Sequence, residues 1–242
     1  MGTSADRTAG SGGAWTPLKF AATSYVRSLD AEDGPRRERA ARLLARHVPV
    51  LGGAAGAAAS AQAGRTGLQR LGGLLSGIGA SGLAATLESL GLGELVGRDR
   101  FDVLDSLVTL LAGDGDDLDS QAARDAACDV LDEVFADADD WNELTATTVT
   151  RDGLVALLEA FLARYVYNRV PVIAERLGRI TDPAAARAAD EEMRQIVATL
   201  VALRLPDDPF AVDWSGAQGR RIAADAIRAL YDTLEALDGS DE

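Results

Sequence analysis

Residues 99–112 read DRFDVLDSLVTLLA, and the spacing of their apolar members decides the fold class. Phe101, Leu104, Leu107, Val108 and Leu111 recur at intervals of three and four, which gathers them on one stripe of an α-helix but would scatter them over both faces of a strand. The turn-forming segment Gly113 to Asp117 ends the stripe. Further on, Ala127, Val130, Leu131, Val134 and Phe135 mark a second helix. Leu154, Leu157, Leu158, Phe161, Leu162 and Tyr165 mark a third, with Thr150 suited to cap it and Pro171 to stop or kink it. Asp182-Pro183 opens another helix, with Met193, Ile196, Val197, Leu200 and Leu203 on its apolar face and a break at Pro206. Ser215 precedes the last, which carries Ile222, Ile227, Leu230, Leu234 and Leu237. No comparable run alternates with period two, so the expected fold is all-α, a multi-helix bundle-like body.

N-terminal to this stretch the composition changes. Thirteen of the 25 glycines fall between residues 52 and 97, interleaved with Ala and Leu. Each helical glycine costs roughly 1 kcal/mol against alanine, so helices here, expected near 66–77 and 82–90, need close packing on neighbours or stay loose. An earlier helix is expected from Asp33-Gly34-Pro35 to about His47, with Arg36, Arg39, Arg42 and Arg46 on one face. That face reads as solvated or paired within the chain, with contact to a partner or nucleic acid as the alternative. Residues 1–13 are small and polar and are expected to form a flexible tail, based on an anchor at Trp15, Thr16, Pro17 and Leu18, with Phe20 and Tyr25 beyond. The expected organisation is a tail and anchor over 1–30, an Arg-bearing and Gly/Ala-rich helical region over 31–98, and an acidic helical region over 99–242 packed with it as one body.

Composition sets the remaining limits. With 242 residues, 47% of them hydrophobic and only 5% aromatic, the core is built from Leu, Val, Ile and Ala. The net charge of −14 is polarised: residues 1–100 hold 12 basic and 8 acidic side chains, the rest 12 and 30. An acidic C-terminal part repels nucleic acid and suits a basic partner. Cys128, the only cysteine, sits among Ala126, Ala127, Val130 and Leu131 and is expected to be a small buried hydrophobe; the lack of a disulfide framework and of a signal peptide points to the cytoplasm. The single histidine, His47, excludes a histidine pair on a metal and is expected to serve packing or a helix end.

Three motif-like segments carry little chemistry. Gly77-Ile78-Gly79-Ala80-Ser81-Gly82 fits G-x-G-x-x-G, but Leu and Gly precede it instead of a β-branched strand. In the acidic loop Asp114 to Asp119 an EF-hand register puts Leu118 at a ligand position and Asp119 where glycine is needed, so a solvated turn is expected and no metal. The uncharged stretches 48–64 and 71–87 reach only the lower edge of a membrane-spanning length and are dominated by Gly, Ala and Ser. No catalytic residue, cofactor, membrane or direct nucleic-acid contact is expected.

What remains is the opening Met1-Gly2-Thr3-Ser4. Gly2 favours removal of Met1, exposing an α-amine whose reference pKa of about 7.7–8.0 leaves a nucleophilic fraction at neutral pH. Asp6 stands where N-myristoylation needs Ser or Thr. With this opening, a glycine-containing spacer, Thr16-Pro17-Leu18 and a Gly/Ala block leading into acidic helices, the chain resembles the QatB family of bacterial Qat anti-phage defence systems. The resemblance implies partnership with a QueC-like enzyme (QatC), a KAP-type ATPase (QatA) and a TatD-like nuclease (QatD). It further implies a non-enzymatic role as protein substrate, in which the QueC-like partner attaches a 7-deazaguanine-type base to the N-terminal glycine, with Gly2, Thr3 and Ser4 as the modification and partner-binding site. The alternative is an assembly adaptor bridging those components without being modified, with Asp129, Asp132 and Glu133 on its binding surface.

Overall fold

The computed structural model describes residues 12–28, 33–178 and 180–238; residues 1–11 of the expected tail, with Gly2, Thr3 and Ser4, lie outside them, while Gly12 and Gly13, also expected in the tail, begin the first helix. Among the described residues there are α-helices and short 3₁₀ turns but no strand, so the chain is all-α. The helices are α1 (Gly12–Arg27), α2 (Asp33–Ala45), α3 (Gly53–Ala59), α4 (Gln62–Ser89), α5 (Arg100–Ala112), α6 (Leu118–Val134), α7 (Trp141–Ala146), α8 (Arg151–Asn168), α9 (Pro171–Leu177), α10 (Pro183–Leu200) and α11 (Ala217–Asp238). Single turns of 3₁₀ helix occupy Val48–Leu51, Gly93–Leu95 and Pro209–Ala211.

Helix starts follow local chemistry. A helix leaves its first amides without partners, and a side-chain oxygen just before it satisfies one of them. Asp99, Asp117, Asp140 and Thr150 do this for α5 to α8, accepting from the amides of Asp102, Ser120, Glu143 and Gly153 at 3.0–3.1 Å. Thr150 caps α8 as expected, α8 ends before Pro171, and α10 begins at Pro183, where Asp182 accepts from the amide of Ala184 at 2.9 Å.

The chain divides into two compact units. One comprises the residues up to Ser60, Val170–Leu200 and the end of α11 from Arg228. In it α1 packs on α2 and α9, and α10 on α2 and α9. Its buried side chains include Leu18, Tyr25, Leu43, Leu44, Met193 and Val197. The other comprises Ala61–Arg169 and Val201–Ile227.

In this second unit α4 is the central element, touching α5, α6, α7, α8 and the turn at Pro209–Ala211. The two helices expected near 66–77 and 82–90 are one run interrupted at Gly82, whose φ of 81° and ψ of 166° leave the helical region. Only glycine adopts that backbone without strain. The Thr86 hydroxyl donates to the Gly82 carbonyl at 2.7 Å on the far side of the break.

Glycines of α4 make room for aromatic rings. A Cβ on Gly64 would overlap the Tyr165 ring, one on Gly67 would lie 2.6 Å from Phe161, one on Gly72 would enter the Trp214 indole, and one on Gly79 would meet Phe210. Phe161 and Tyr165 are stacked on one face of α8, with centroids 6.2 Å apart and planes 3° apart. Gln69 and Trp214 complete the seam: the Gln69 amide donates to the Trp214 carbonyl at 2.7 Å, and the indole N–H to the Pro209 carbonyl at 3.2 Å. Thus the poor intrinsic propensity of the Gly/Ala block is offset by backbone-to-ring packing, the first of the two options its composition allows.

Two expectations are corrected. Phe101 was placed on the buried stripe of α5, but Val103, Leu107 and Leu111 form that stripe and Phe101 is 79% exposed. The interval of three from Phe101 to Leu104 fits a helix either way, and only the position of α4 and α6 decides which row faces inward. Cys128 was expected to be buried; it is exposed on the outer face of α6, while Ala126, Ala127, Val130 and Leu131 face the core.

Candidate modification and partner-binding site

The anchor segment expected at Trp15 to Leu18 is part of α1, with Pro17 inside the helix. Leu18 is fully buried, Trp15 and Pro17 are half-buried, and Thr16 is exposed. Leu18, Ala22 and Tyr25, at intervals of four and three, form the buried row of α1. The Tyr25 hydroxyl lies 3.1 Å from the Ala189 carbonyl and 3.2 Å from a Glu192 carboxylate oxygen on α10. Arg36 of α2 reaches the same carboxylate, its Nε 2.7–2.9 Å from the two oxygens. So Tyr25 of α1 and Arg36 of α2, 167 and 156 residues from Glu192, are tied to α10 by one part-buried polar cluster.

Burial, followed by the Glu192 charge, holds the Tyr25 hydroxyl well above the ordinary tyrosine value of 10.0. A raised value in the fold means that the neutral hydroxyl's contribution is complete below pH 10 and is lost as pH rises above it. Tyr25→Phe is therefore expected to cost about 1 kcal/mol at pH 8. The gap between its urea midpoint and that of the wild type is expected to narrow as the pH is raised past 10; a gap that widens there would contradict this reading.

The other sequence candidates are put to structural use. Gly77 and Gly79 lie within α4 and pack on Thr86 and Phe210, and among the described residues no strand precedes them. Asp117 caps α6, and the amide and hydroxyl of Ser120 hold its carboxyl below the usual range. Asp140 caps α7. His47 is buried in the turn between α2 and Val48–Leu51, as expected of a packing residue. Partial burial and then the carboxylates of Asp125, Asp132 and Asp129 push the Cys128 thiol up, which opposes thiolate formation although the residue is exposed. Of the Arg face, Arg36 is paired with Glu192. Asp132 and Glu133 pair with Arg100 and Arg164 at 3.1 and 2.6 Å. Among the described residues no group of three or more His, Cys, Asp or Glu is placed to hold a metal, and no helix is long and apolar enough to cross a membrane.

Sequence reasoning missed the chief polar cluster of the second unit. Asp119, in the first turn of α6, accepts from the Ala63 amide at 2.7 Å and from the Tyr165 hydroxyl, and its carboxylate lies 3.4 Å from the Nε of Arg169. The buried Arg169 guanidinium stands 5.6 Å from the centre of the Tyr165 ring. The cluster joins the start of α4, the start of α6 and the end of α8. Its one sequence signal is the pair Tyr165 and Arg169 at helical spacing; nothing local marks Asp119 out from the other acids of its loop.

A protein-family model described as Qat anti-phage system associated protein QatB matches residues 52–234. The matched span takes in all of the second unit and leaves α1 and α2 outside. No curated protein and no solved structure matches the chain.

Proposed function

The chain belongs to the QatB family and is a component of a Qat anti-phage system, and from that premise we propose that it serves as the protein substrate of a QueC-like partner. In this reading Met1 is removed and the Gly2 α-amine is the nucleophile. The partner activates the carboxylate of a 7-deazaguanine-type base with ATP. The amine nitrogen attacks the adenylated carbonyl carbon and an amide C–N bond forms. The bond from that carbon to the AMP oxygen breaks, AMP leaves with the electron pair, and the nitrogen gives up its proton. Thr3 and Ser4 are the adjoining positions that enter the partner's site.

Family membership is the observation that carries this reading, together with the residues Met1-Gly2-Thr3-Ser4. Chain geometry is compatible with it. Ten residue steps separate Gly2 from the first residue of α1, a contour of at most about 35 Å, enough to enter another protein's active site while Leu18, Ala22 and Tyr25 keep α1 packed. Intact-mass measurement after co-expression with the QueC-like partner tests the proposal. The expected result is a wild-type chain lacking Met1 and heavier by the base's carboxylic acid minus one water, with the addition confined to the Gly2 amine. An unmodified N-terminus, or full defence with Gly2 blocked, would overturn it.

The adaptor alternative needs other components bound to the body of the chain. Asp132 and Glu133 pair internally with Arg100 and Arg164, so charge reversal there would break those ion pairs as well as change a surface.

A further inference from the structure

Phe20, Leu90, Val96, Phe101 and Leu118 are the large hydrophobic side chains that stand exposed among the described residues. Three of them fall within residues 90–101, the corner that joins α4 to α5. Phe101 is the most exposed of all at 79%. The corner is ordered by its own hydrogen bonds: the amides of Leu92, Leu95 and Arg98 donate to the carbonyls of Leu87, Leu92 and Leu95 at 2.8–3.0 Å. Leu95 points inward and is buried, which pins the turn and leaves Val96 outside. An aromatic ring kept in water on a hydrogen-bonded corner, where the adjoining helix already has its core row in Val103, Leu107 and Leu111, is not needed for folding.

The charge along this corner is mostly negative. Glu88, Glu94, Asp99, Asp102 and Asp105 are exposed along the same stretch. Against them stand Arg98 and Arg100, and Arg100 is engaged by Asp132 at 3.1 Å. An apolar centre with an acidic rim is complementary to a surface bearing apolar side chains among Lys and Arg. It is not complementary to itself, because pairing two copies corner to corner would oppose their carboxylates, and it repels a phosphate backbone.

We infer that the α4–α5 corner is a docking surface for a basic, apolar-bearing surface of another protein component of the system, with Phe101 as the anchor and Leu90 and Val96 as the other exposed apolar side chains of the corner. Buried aromatic anchors carry much of the binding energy in such interfaces, and acidic rims set encounter rate and salt dependence. The surface lies within the family-matched span, which does not include Gly2.

Binding of the full-length chain to each of the other Qat components, purified separately, tests this. One of them is expected to bind the wild type, with affinity falling as salt is raised. Phe101→Ser is expected to weaken binding at least tenfold while leaving the far-ultraviolet circular dichroism and thermal midpoint unchanged, and Glu94→Lys with Asp105→Lys to weaken it at low salt. Phe20→Ser, which removes another exposed ring outside the corner, is expected to bind as the wild type does, and the intact mass of wild-type and Phe101→Ser chains after co-expression with the QueC-like partner reads the modification separately from docking. Three results would each overturn the inference: no component binds, both corner variants bind like the wild type, or the chain instead self-associates and Phe101→Ser abolishes that.

Discussion

Alanine at two adjacent glycines of α4 is expected to shift stability in opposite directions. Gly72→Ala puts a Cβ into the Trp214 indole, whereas Gly73→Ala puts one 3.6 Å from the nearest Trp214 atom, ordinary van der Waals contact. Both positions are helical, so both substitutions gain the same intrinsic preference of up to about 1 kcal/mol. At Gly73 nothing opposes that gain. At Gly72 the gain is overridden, because the indole is 3% exposed and held by its bond to the Pro209 carbonyl, so Trp214 or α4 must move. Overpacking of this kind costs about 1–3 kcal/mol and sometimes more. For a chain of this length each kcal/mol corresponds to roughly 2–4 °C in Tm. Thermal unfolding of the two variants in parallel checks it, and equal shifts of the same sign would mean that α4 does not use Gly72 as a contact surface.

The second large effect is expected at Asp119. Asp119→Ala removes the acceptor for the Ala63 amide and the Tyr165 hydroxyl and takes the carboxylate away from the buried Arg169. Breaking one side of a buried charged cluster costs more than the cluster contributes over an apolar substitute, about 3 kcal/mol here. Tyr165→Phe keeps the stacked ring and loses only the hydroxyl, for about 1 kcal/mol. The double variant Asp119→Ala with Tyr165→Phe is expected to cost less than the two single losses added, since the hydroxyl's acceptor is gone in either case. Urea denaturation of the four proteins measures the cycle. Strict additivity would show that the hydroxyl and the carboxylate do not act on each other.

These two sites also show where sequence reading stops. Period, caps and breakers are local properties, so the helix class, the Thr150 cap, the stop before Pro171 and the start at Asp182-Pro183 were all legible from neighbouring residues. Asp119 was not. It is one acid among several in a loop, and its partners Ala63, Tyr165 and Arg169 lie between 46 and 56 residues away. Phe101 and Cys128 were misjudged for a related reason. A helix has more than one row of moderately apolar residues, and the choice of the inward row belongs to the neighbours that pack on it.

For the candidate site the division falls differently. The proposal that Gly2 is the nucleophile rests on a residue type, an amine and a family resemblance, all of them readable in one dimension, and the family is established by a match over residues 52–234. The docking corner was invisible there, since an exposed Phe101 and a buried one are written alike.

By itself, then, the sequence determined the all-α class, most helix limits and the family, because each depends on patterns within a few residues or on likeness along the chain. It also showed that the glycine-rich block needs support from outside itself. Only the tertiary structure decided what that support is, the rings of Tyr165, Phe161, Trp214 and Phe210 seated on Gly64, Gly67, Gly72 and Gly79. The reason is physical: a glycine's fitness in a helix depends on the space where a Cβ would stand, and that space is filled by residues far along the chain.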